Sequence, residues 1–193
     1  DKANTLEGKR AQVLMAVIDD FFNDSQGLRL HYDLHTAIRP SKNEKFAVYP
    51  YLHGKEYNKE QLCFLSMCGV NTILLSQSVT TTFSYYTSVN YQAEAFTVEL
   101  GKVKPFGQND MSTFSAVKHS LSSLLSEKTL NVPNYDECPL KIYIVNQVIH
   151  KGEEDFSLNF DEDTANFETF KQGDELAREN GKIYFAEVDG EAI

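Results

Sequence analysis

The chain has 193 residues, enough for one good-sized domain or for one domain with a smaller second one. Its 28 aspartates and glutamates outnumber 18 lysines and arginines, and the formal net charge of -10 argues against nucleic acid or an anionic membrane surface as a partner. No apolar run is long enough to span a bilayer, the opening DKANTLEGKR lacks the plan of a signal peptide, and three cysteines without a C-x-x-C pair point to a reducing cytoplasm rather than a disulfide framework.

Val13, Leu14, Val17, Ile18, Phe21 and Phe22 recur at three- and four-residue steps, which predicts an amphipathic helix over residues 6 to 23, stopped by Asn23 to Gly27. Leu28, Leu30, Tyr32 and Leu34 then alternate with Arg29, His31, Asp33 and His35, the two-residue period of a strand. Pro40 closes this run, so Asp33 and His35 share a face near its carboxyl end, where ligands bind in open α/β sheets. Phe46 to Tyr49 reads as another strand, and Asn58 with Gln61 as the cap of a helix that Gly69 ends. Thr72 to Leu75 has the unbroken apolar look of a buried parallel strand.

Residues 77 to 92, rich in Ser, Thr and Tyr, read as a long aromatic loop or a loop with a short helix. Ala95 to Leu100 is a strand with Ala95, Thr97 and Glu99 on one face and Phe96, Val98 and Leu100 on the other. Phe114, Val117, Leu121, Leu124 and Leu125 describe a helix, with Asn109 or Asp110 as its cap. Strand and helix alternate to about residue 127, the pattern of an α/β layer with a largely parallel sheet. Leu130 to Pro139 is linker-like. Lys141 to Ile149, Phe156 to Phe160 and Lys182 to Val188 are strand-like, so a small β-rich second domain is expected over 139–193 after a first over 1–138. Asp189-Gly190 is a hairpin signal that the chain leaves without a return strand, and the opening helix has no strand before it, the look of part of a larger protein. There is no internal repeat.

His35, with a carboxylate two residues back, is a candidate metal ligand or a hydrogen-bonded structural histidine; Glu99 is a candidate proton carrier or a strand-end glutamate paired with Lys102. Asp33-Leu34-His35-Thr36-Ala37-Ile38-Arg39, then Thr97-Val98-Glu99-Leu100-Gly101-Lys102, then Pro105-Phe106-Gly107-Gln108-Asn109-Asp110, resemble in order the motifs of the succinylglutamate desuccinylase and aspartoacylase family, a branch of the zinc carboxypeptidase folds. The resemblance covers essentially the whole chain. It implies that His35 is the zinc-binding histidine of the DLH motif and that Glu99 is the general acid/base of the T-x-E-L-G motif. A carboxylate desolvated at a strand end suits that second role.

The activity implied is hydrolysis of a small molecule, N-succinyl-L-glutamate, to succinate and L-glutamate with one zinc ion, the last step of the succinyltransferase route of arginine breakdown. An enzyme of this kind with another acyl group, or a non-catalytic domain that has lost its metal, stays open, and no sequence feature sets an oligomeric state. The family's other two zinc ligands form an H-x-x-E pair before the DLH strand. Here His53-Gly54-Lys55-Glu56 and His150-Lys151-Gly152-Glu153 both come after it and are read as coincidences, leaving one zinc ligand of three and weak or no zinc binding by this chain alone. Arg39 is the nearest candidate for a substrate carboxylate, with a structural ion pair as its alternative. Where family members often carry an Arg before the catalytic strand, this chain has Val89 and Asn90. His31, His119 and His150 read as ordinary histidines.

Overall fold

The computed structural model describes residues 4–24, 26–126 and 130–193. Ser25, among the residues expected to stop the first helix, and residue 127, where the strand and helix alternation ends, lie outside the described residues.

Five strands form one sheet: β1 (Leu30–Ala37), β2 (Phe46–Tyr49), β3 (Thr72–Leu75), β4 (Glu94–Lys102) and β5 (Lys141–Ile144), in the order β1-β4-β2-β3-β5. β1 pairs with β4, β2 with β3 and β3 with β5 in parallel, while β2 runs antiparallel to β4. The expected mostly parallel α/β layer is therefore present, with helices α1 (Leu6–Asn23), α2 (Lys59–Met67), α3 (Phe83–Tyr91) and α4 (Ser115–Leu125).

The period of two decides which face each residue serves. Ala47, Tyr49, Ile73, Leu75, Phe96, Val98 and Leu100 form the core with Leu62 and Leu65 from α2, Cys68 at its carboxyl cap and Val117 from α4. Each such side chain buried contributes about 1.5–3 kcal/mol. β3, flanked on both sides by β2 and β5, is buried at Thr72, Ile73 and Leu75, which explains its unbroken apolar sequence. α2 begins as its sequence predicts, Asn58 accepting from the Gln61 N–H at 3.2 Å. It ends with Gly69 at φ +79°, where Gly69 N–H reaches Ser66 O and Val70 N–H reaches Leu65 O, both at 2.9 Å. Those paired bonds satisfy carbonyls the helix leaves free, and glycine adopts the left-handed turn without strain.

α3 lies on the opposite face, over β1 and β4. Most of residues 77–92 thus belongs to a helix with a short approach, capped by the Thr82 hydroxyl accepting from Tyr85 N–H at 3.3 Å. α1 forms as predicted, yet Phe22 is its one buried residue among those described, and Leu14, Val17 and Phe21 are exposed. Phe22 stacks on Tyr91 at 5.2 Å, and Asp19 accepts hydrogen bonds from the Tyr86 hydroxyl at 2.7 Å and from the Tyr91 hydroxyl.

In the C-terminal stretch, β6 (Ser157–Leu158), β8 (Glu175–Glu179) and β9 (Lys182–Phe185) make a three-stranded antiparallel sheet, and β7 (Thr169–Phe170) pairs with β10 (Glu191–Ala192). The strand expected over 141–149 is confined to Lys141–Ile144 and hydrogen-bonds into the five-stranded sheet. β8 was not legible as a strand, and Asp189-Gly190, expected to lack a return strand, is followed by the short β10. β8 turns into β9 at Asn180-Gly181, both at positive φ (+47° and +74°), the conformation a two-residue hairpin requires. Asp189-Gly190 instead leads into β10, which returns to β7.

Candidate active site

The alternation that builds the core face also collects the ionisable groups on the other one. In the parallel β1–β4 pair Asp33 is in register with Thr97, and His35 with Glu99. Beyond that pair the register slips, so that Ala37 meets Lys102: β4 spends one residue more than β1. Gly101, at φ +117°, takes up the extra residue. A bulge of this kind re-aims the neighbouring side chain. Glu99 therefore stands at the carboxyl end of the paired region, with His35 on one side and Phe46 of β2 on the other.

His35 is half exposed, and its Nε2 lies 3.2 Å from Asp33 Oδ1. An Nε2–H donated to that carboxylate leaves Nδ1 with its lone pair free for a metal, as in carboxylate–histidine–metal triads. Glu99 is half-buried. Its Oε2 is shielded from solvent and has no hydrogen-bond partner among the described residues, and no salt bridge joins it to Lys102. Loss of water around it raises its pKa, and the Asp33 charge adds to that, while His35 opposes both. Such a carboxyl holds a proton to higher pH than a solvated glutamate, which is what a group that accepts and returns protons near neutrality needs.

α3 roofs the amino-terminal half of this face. Ser84 and Thr97 hydroxyls lie 2.9 Å apart, and His31 Nδ1 lies 2.7 Å from the Thr87 hydroxyl, with its ring edge-on to Phe83 at 4.7 Å. Arg29 donates to Tyr91 O at 3.2 Å, closing the carboxyl end of α3. Burial lowers the pKa of His31 more than Asp33 raises it. His31 thus lies under the roof, on the face it shares with Asp33 and His35. The small hydroxyl residues at 84, 87 and 88 follow helical three- and four-residue steps, a signal in the sequence for the face that docks.

Neither H-x-x-E sequence comes to His35 and Glu99 as a metal pair. His53 sits in a turn at φ +54° with Nε2 2.9 Å from the Tyr85 hydroxyl, and His150 is exposed near a loop whose Gly152 and Glu153 N–H groups bind Glu179. Arg39 is exposed in the bend after β1, His119 is exposed on α4, and Val89 and Asn90 lie on α3. Among the described residues no group of three or more His, Cys, Asp and Glu side chains is placed to hold a metal ion. His35, with one open ring nitrogen beside an unpartnered carboxylate oxygen, fits one corner of a zinc site in kind; a complete donor set is not present among the described residues.

Two larger hollows lie nearby. One of about 610 Å³ runs between α1 and α3, lined by Leu14, Met15, Phe83, Tyr85 and Val89. The other, about 540 Å³, is bordered by Phe46, Tyr143 and Phe167, whose rings pack at 5.1 Å (Phe46–Phe167) and 4.9 Å (Tyr143–Phe167). Neither is lined by His35 or Glu99. Among the described residues no helix is long and apolar enough to cross a membrane.

Comparison with known proteins gives this geometry its context. Residues 1–125 match the model of the succinylglutamate desuccinylase/aspartoacylase catalytic domain, and residues 138–193 that of the AstE/AspA barrel-sandwich hybrid domain. The chain is 53% identical over 192 residues to the succinylglutamate desuccinylase of Pseudoalteromonas atlantica, covering 98% of this chain and 55% of that protein. It is 50% identical over 186 residues to the one from Shewanella piezotolerans, covering 95% and 54%. The crystal structure of the succinylglutamate desuccinylase from Chromobacterium violaceum superposes with a TM-score of 0.79 at 43% identity over 88% of this chain and 52% of that one. The Vibrio cholerae structure of the same name gives 0.86 at 30% identity over 97% and 55%. The chain spans about half the length of the curated relatives it matches. With both regions matched in order and the DLH and T-x-E-L-G strands paired in register, the chain belongs to the succinylglutamate desuccinylase/aspartoacylase family.

Proposed function

We propose that these residues are part of a zinc-dependent amide hydrolase that converts N-succinyl-L-glutamate and water to L-glutamate and succinate, the last step of arginine catabolism by the succinyltransferase pathway, in the cytoplasm. The observation that carries the reading is the in-register placement of His35 beside a Glu99 whose buried Oε2 is unpartnered. In this reading His35 is one zinc ligand through Nδ1, and the remaining ligands are supplied by residues outside these 193. When bound, zinc supplies Lewis acidity, acidifying water and drawing charge from the substrate carbonyl.

The chain's own residues then have distinct tasks. Asp33, its Oδ1 3.2 Å from Nε2 of His35, orients the ring. Glu99 takes the proton of the attacking water at its carboxylate and gives it to the departing amine nitrogen as the amide C–N bond breaks. Its raised proton affinity suits both halves of that task. We infer also a division into a first domain over 1–138 and a β-rich second over 139–193. The two matched regions support it, with β5 as the strand that reaches from the second into the sheet of the first.

The test is zinc content by elemental analysis of the 193-residue chain beside a longer form of the protein, each dialysed against dilute zinc. Near-stoichiometric zinc in the longer form alone, lost in His35→Ala, together with hydrolysis of N-succinyl-L-glutamate, is the expected result. Near-stoichiometric zinc on the 193-residue chain overturns the incomplete-site reading. Turnover of N-acetylaspartate in its place overturns the substrate.

A further inference from the structure

The rung of His35 and Glu99 stands between two covers. On one side α3 reaches Thr97 through Ser84. On the other, Phe46 of β2, the partner of Glu99 in the antiparallel β2–β4 pair, lies under Phe167 of the β-rich region. Directly opposed residues share a face with Cβ atoms about 4.5–5.5 Å apart, so the Phe46 ring rises beside the Glu99 carboxyl. Phe46 and Phe167 are both buried, their rings edge-on at 5.1 Å, and Ala37, two residues on from His35, belongs to the same apolar cluster. Phe167 holds this place in a conformation its side chain resists. Among the described residues it is the one apolar residue other than glycine at positive φ, +65°, where Cβ crowds the backbone and glycine or asparagine is the ordinary choice. Its neighbours are tied to the turn after β1: Asn166 N–H donates to Pro40 O at 2.8 Å, Lys42 N–H donates to Asn166 O at 3.0 Å, and Lys42 Nζ lies 2.6 Å from Glu168 Oε1. Phe167 N–H donates to Ile193 O, and Ile193 N–H to Glu168 O at 3.1 Å. A bulky ring fixed in a strained turn by bonds on both flanks marks a position where the ring itself is needed.

We propose that Phe167 is a positioning residue for Glu99: by seating the Phe46 ring it walls the β2 side of that carboxyl against water, so that the β-rich region completes the face carrying Asp33, His35 and Glu99. The inference rests on the reading of Glu99 as the proton carrier. Glu99 Oε2 is shielded from solvent although no hydrogen bond holds it among the described residues, so packing rather than a donor keeps water away. A hollow of about 540 Å³ borders Phe46, Tyr143 and Phe167. The Phe167 ring is therefore not packed all round, and its fixed turn is what keeps it against Phe46. A proton carrier works only at the geometry its surroundings hold, which is how a ring in the second region comes to bear on chemistry in the first.

The experiment has two readouts. On the 193-residue chain, labelling of carboxyls with a carbodiimide and glycine ethyl ester at one pH, resolved to the residue by mass analysis, reads access to Glu99. Exposed Glu162 is the fast reference, and Glu94, held by the Tyr49 hydroxyl on the same strand, reports any general unfolding. Wild-type Glu99 should label far more slowly than Glu162. Phe167→Gly, which suits the backbone and deletes the ring, should bring Glu99 toward the Glu162 rate and leave Glu94 as it was; Phe167→Tyr, which keeps the ring, should keep Glu99 protected. In a longer, zinc-loaded form Phe167→Gly should lower kcat for N-succinyl-L-glutamate by about 10²-fold with KM and zinc content unchanged, and Phe167→Tyr should restore it. If Phe167→Gly fails to fold, Phe167→Asn, which also tolerates positive φ, serves in its place. Wild-type Glu99 that labels as fast as Glu162, or a folded Phe167→Gly that leaves either Glu99 protection or kcat as in wild type, overturns the proposal. Glu99→Gln in the same longer form separates the two readings: retained hydrolysis overturns Glu99 as the proton carrier and this proposal with it, whereas lost hydrolysis beside a fully active Phe167→Gly overturns this proposal alone.

Discussion

His35 and Glu99 are separated by 63 residues in the chain and face one another across the parallel β1–β4 pair, one residue before its register slips. A two-residue alternation in each strand sets which side the two groups share, and the bulge at Gly101 sets where the sharing stops. The site is thus the last rung before the register slips, with Ala37 and Lys102 pairing beyond it.

Replacing Glu99 by Gln removes the proton carrier while keeping its size. Hydrolysis by a longer, zinc-loaded form should fall by about 10²–10⁴-fold with zinc content unchanged. The folded pKa of Glu99 is raised, so between its unfolded and folded values the native state binds more protons than the unfolded one. Wild-type stability should therefore decline as pH rises from the ordinary carboxylate range, and Glu99→Gln should decline less. Urea unfolding midpoints at pH 4 to 7 (values of about the ordinary carboxylate range upward) read the difference. Equal slopes would sink the assigned cause.

For His31 the sign is reversed. Burial lowers its pKa below the ordinary histidine value, so in that interval the unfolded state binds the extra proton. The contribution of neutral His31 is fully present above about pH 6.5 and fades as pH falls through and below it. A proton NMR titration should place the His31 ring below the ordinary histidine value. His31→Asn should flatten the acid side of the stability profile, and an unchanged profile would sink the assigned cause.

Tyr49 is fully buried, with its hydroxyl 2.5 Å from Glu94 Oε2 and accepting from Asn58 N–H at 3.3 Å. Tyr49→Phe leaves both partners short of a bond at the first residue of β4 and at the cap of α2. The expected cost is about 1–3 kcal/mol. Chemical denaturation checks it, and an unchanged midpoint would mean that water replaces the lost hydroxyl.

The local elements were legible where one residue type answers one backbone need. Asn58 caps α2 because its side chain reaches an otherwise free N–H, and Gly69 ends it because the backbone turns left-handed there. α3 was harder to read, since Ser, Thr and Tyr favour other conformations over helix. What holds it is tertiary: Ser84 and Thr87 meet Thr97 and His31. Asp189-Gly190 carries a hairpin signal, and Asn180-Gly181 carries the same one. Each pair can take positive φ, and the partner strand, which lies elsewhere in the chain, decides which pair closes a hairpin. Of the site, the residue types came from the DLH and T-x-E-L-G motifs. Their register, and the unpartnered oxygen on Glu99, came from the pairing of distant strands.

The strand that carries His35 stands at the rim of its sheet: β1 is hydrogen-bonded to β4 along one side, and among the described residues no strand joins the other. An open rim is a template for any polypeptide that can zip onto it, with Leu34 exposed on its surface. Whatever docks there sets its own side chains next to those of Asp33 and His35. Closing the sheet and walling the face that carries Asp33 and His35 would then be one event, which ties completion of the fold to completion of that face.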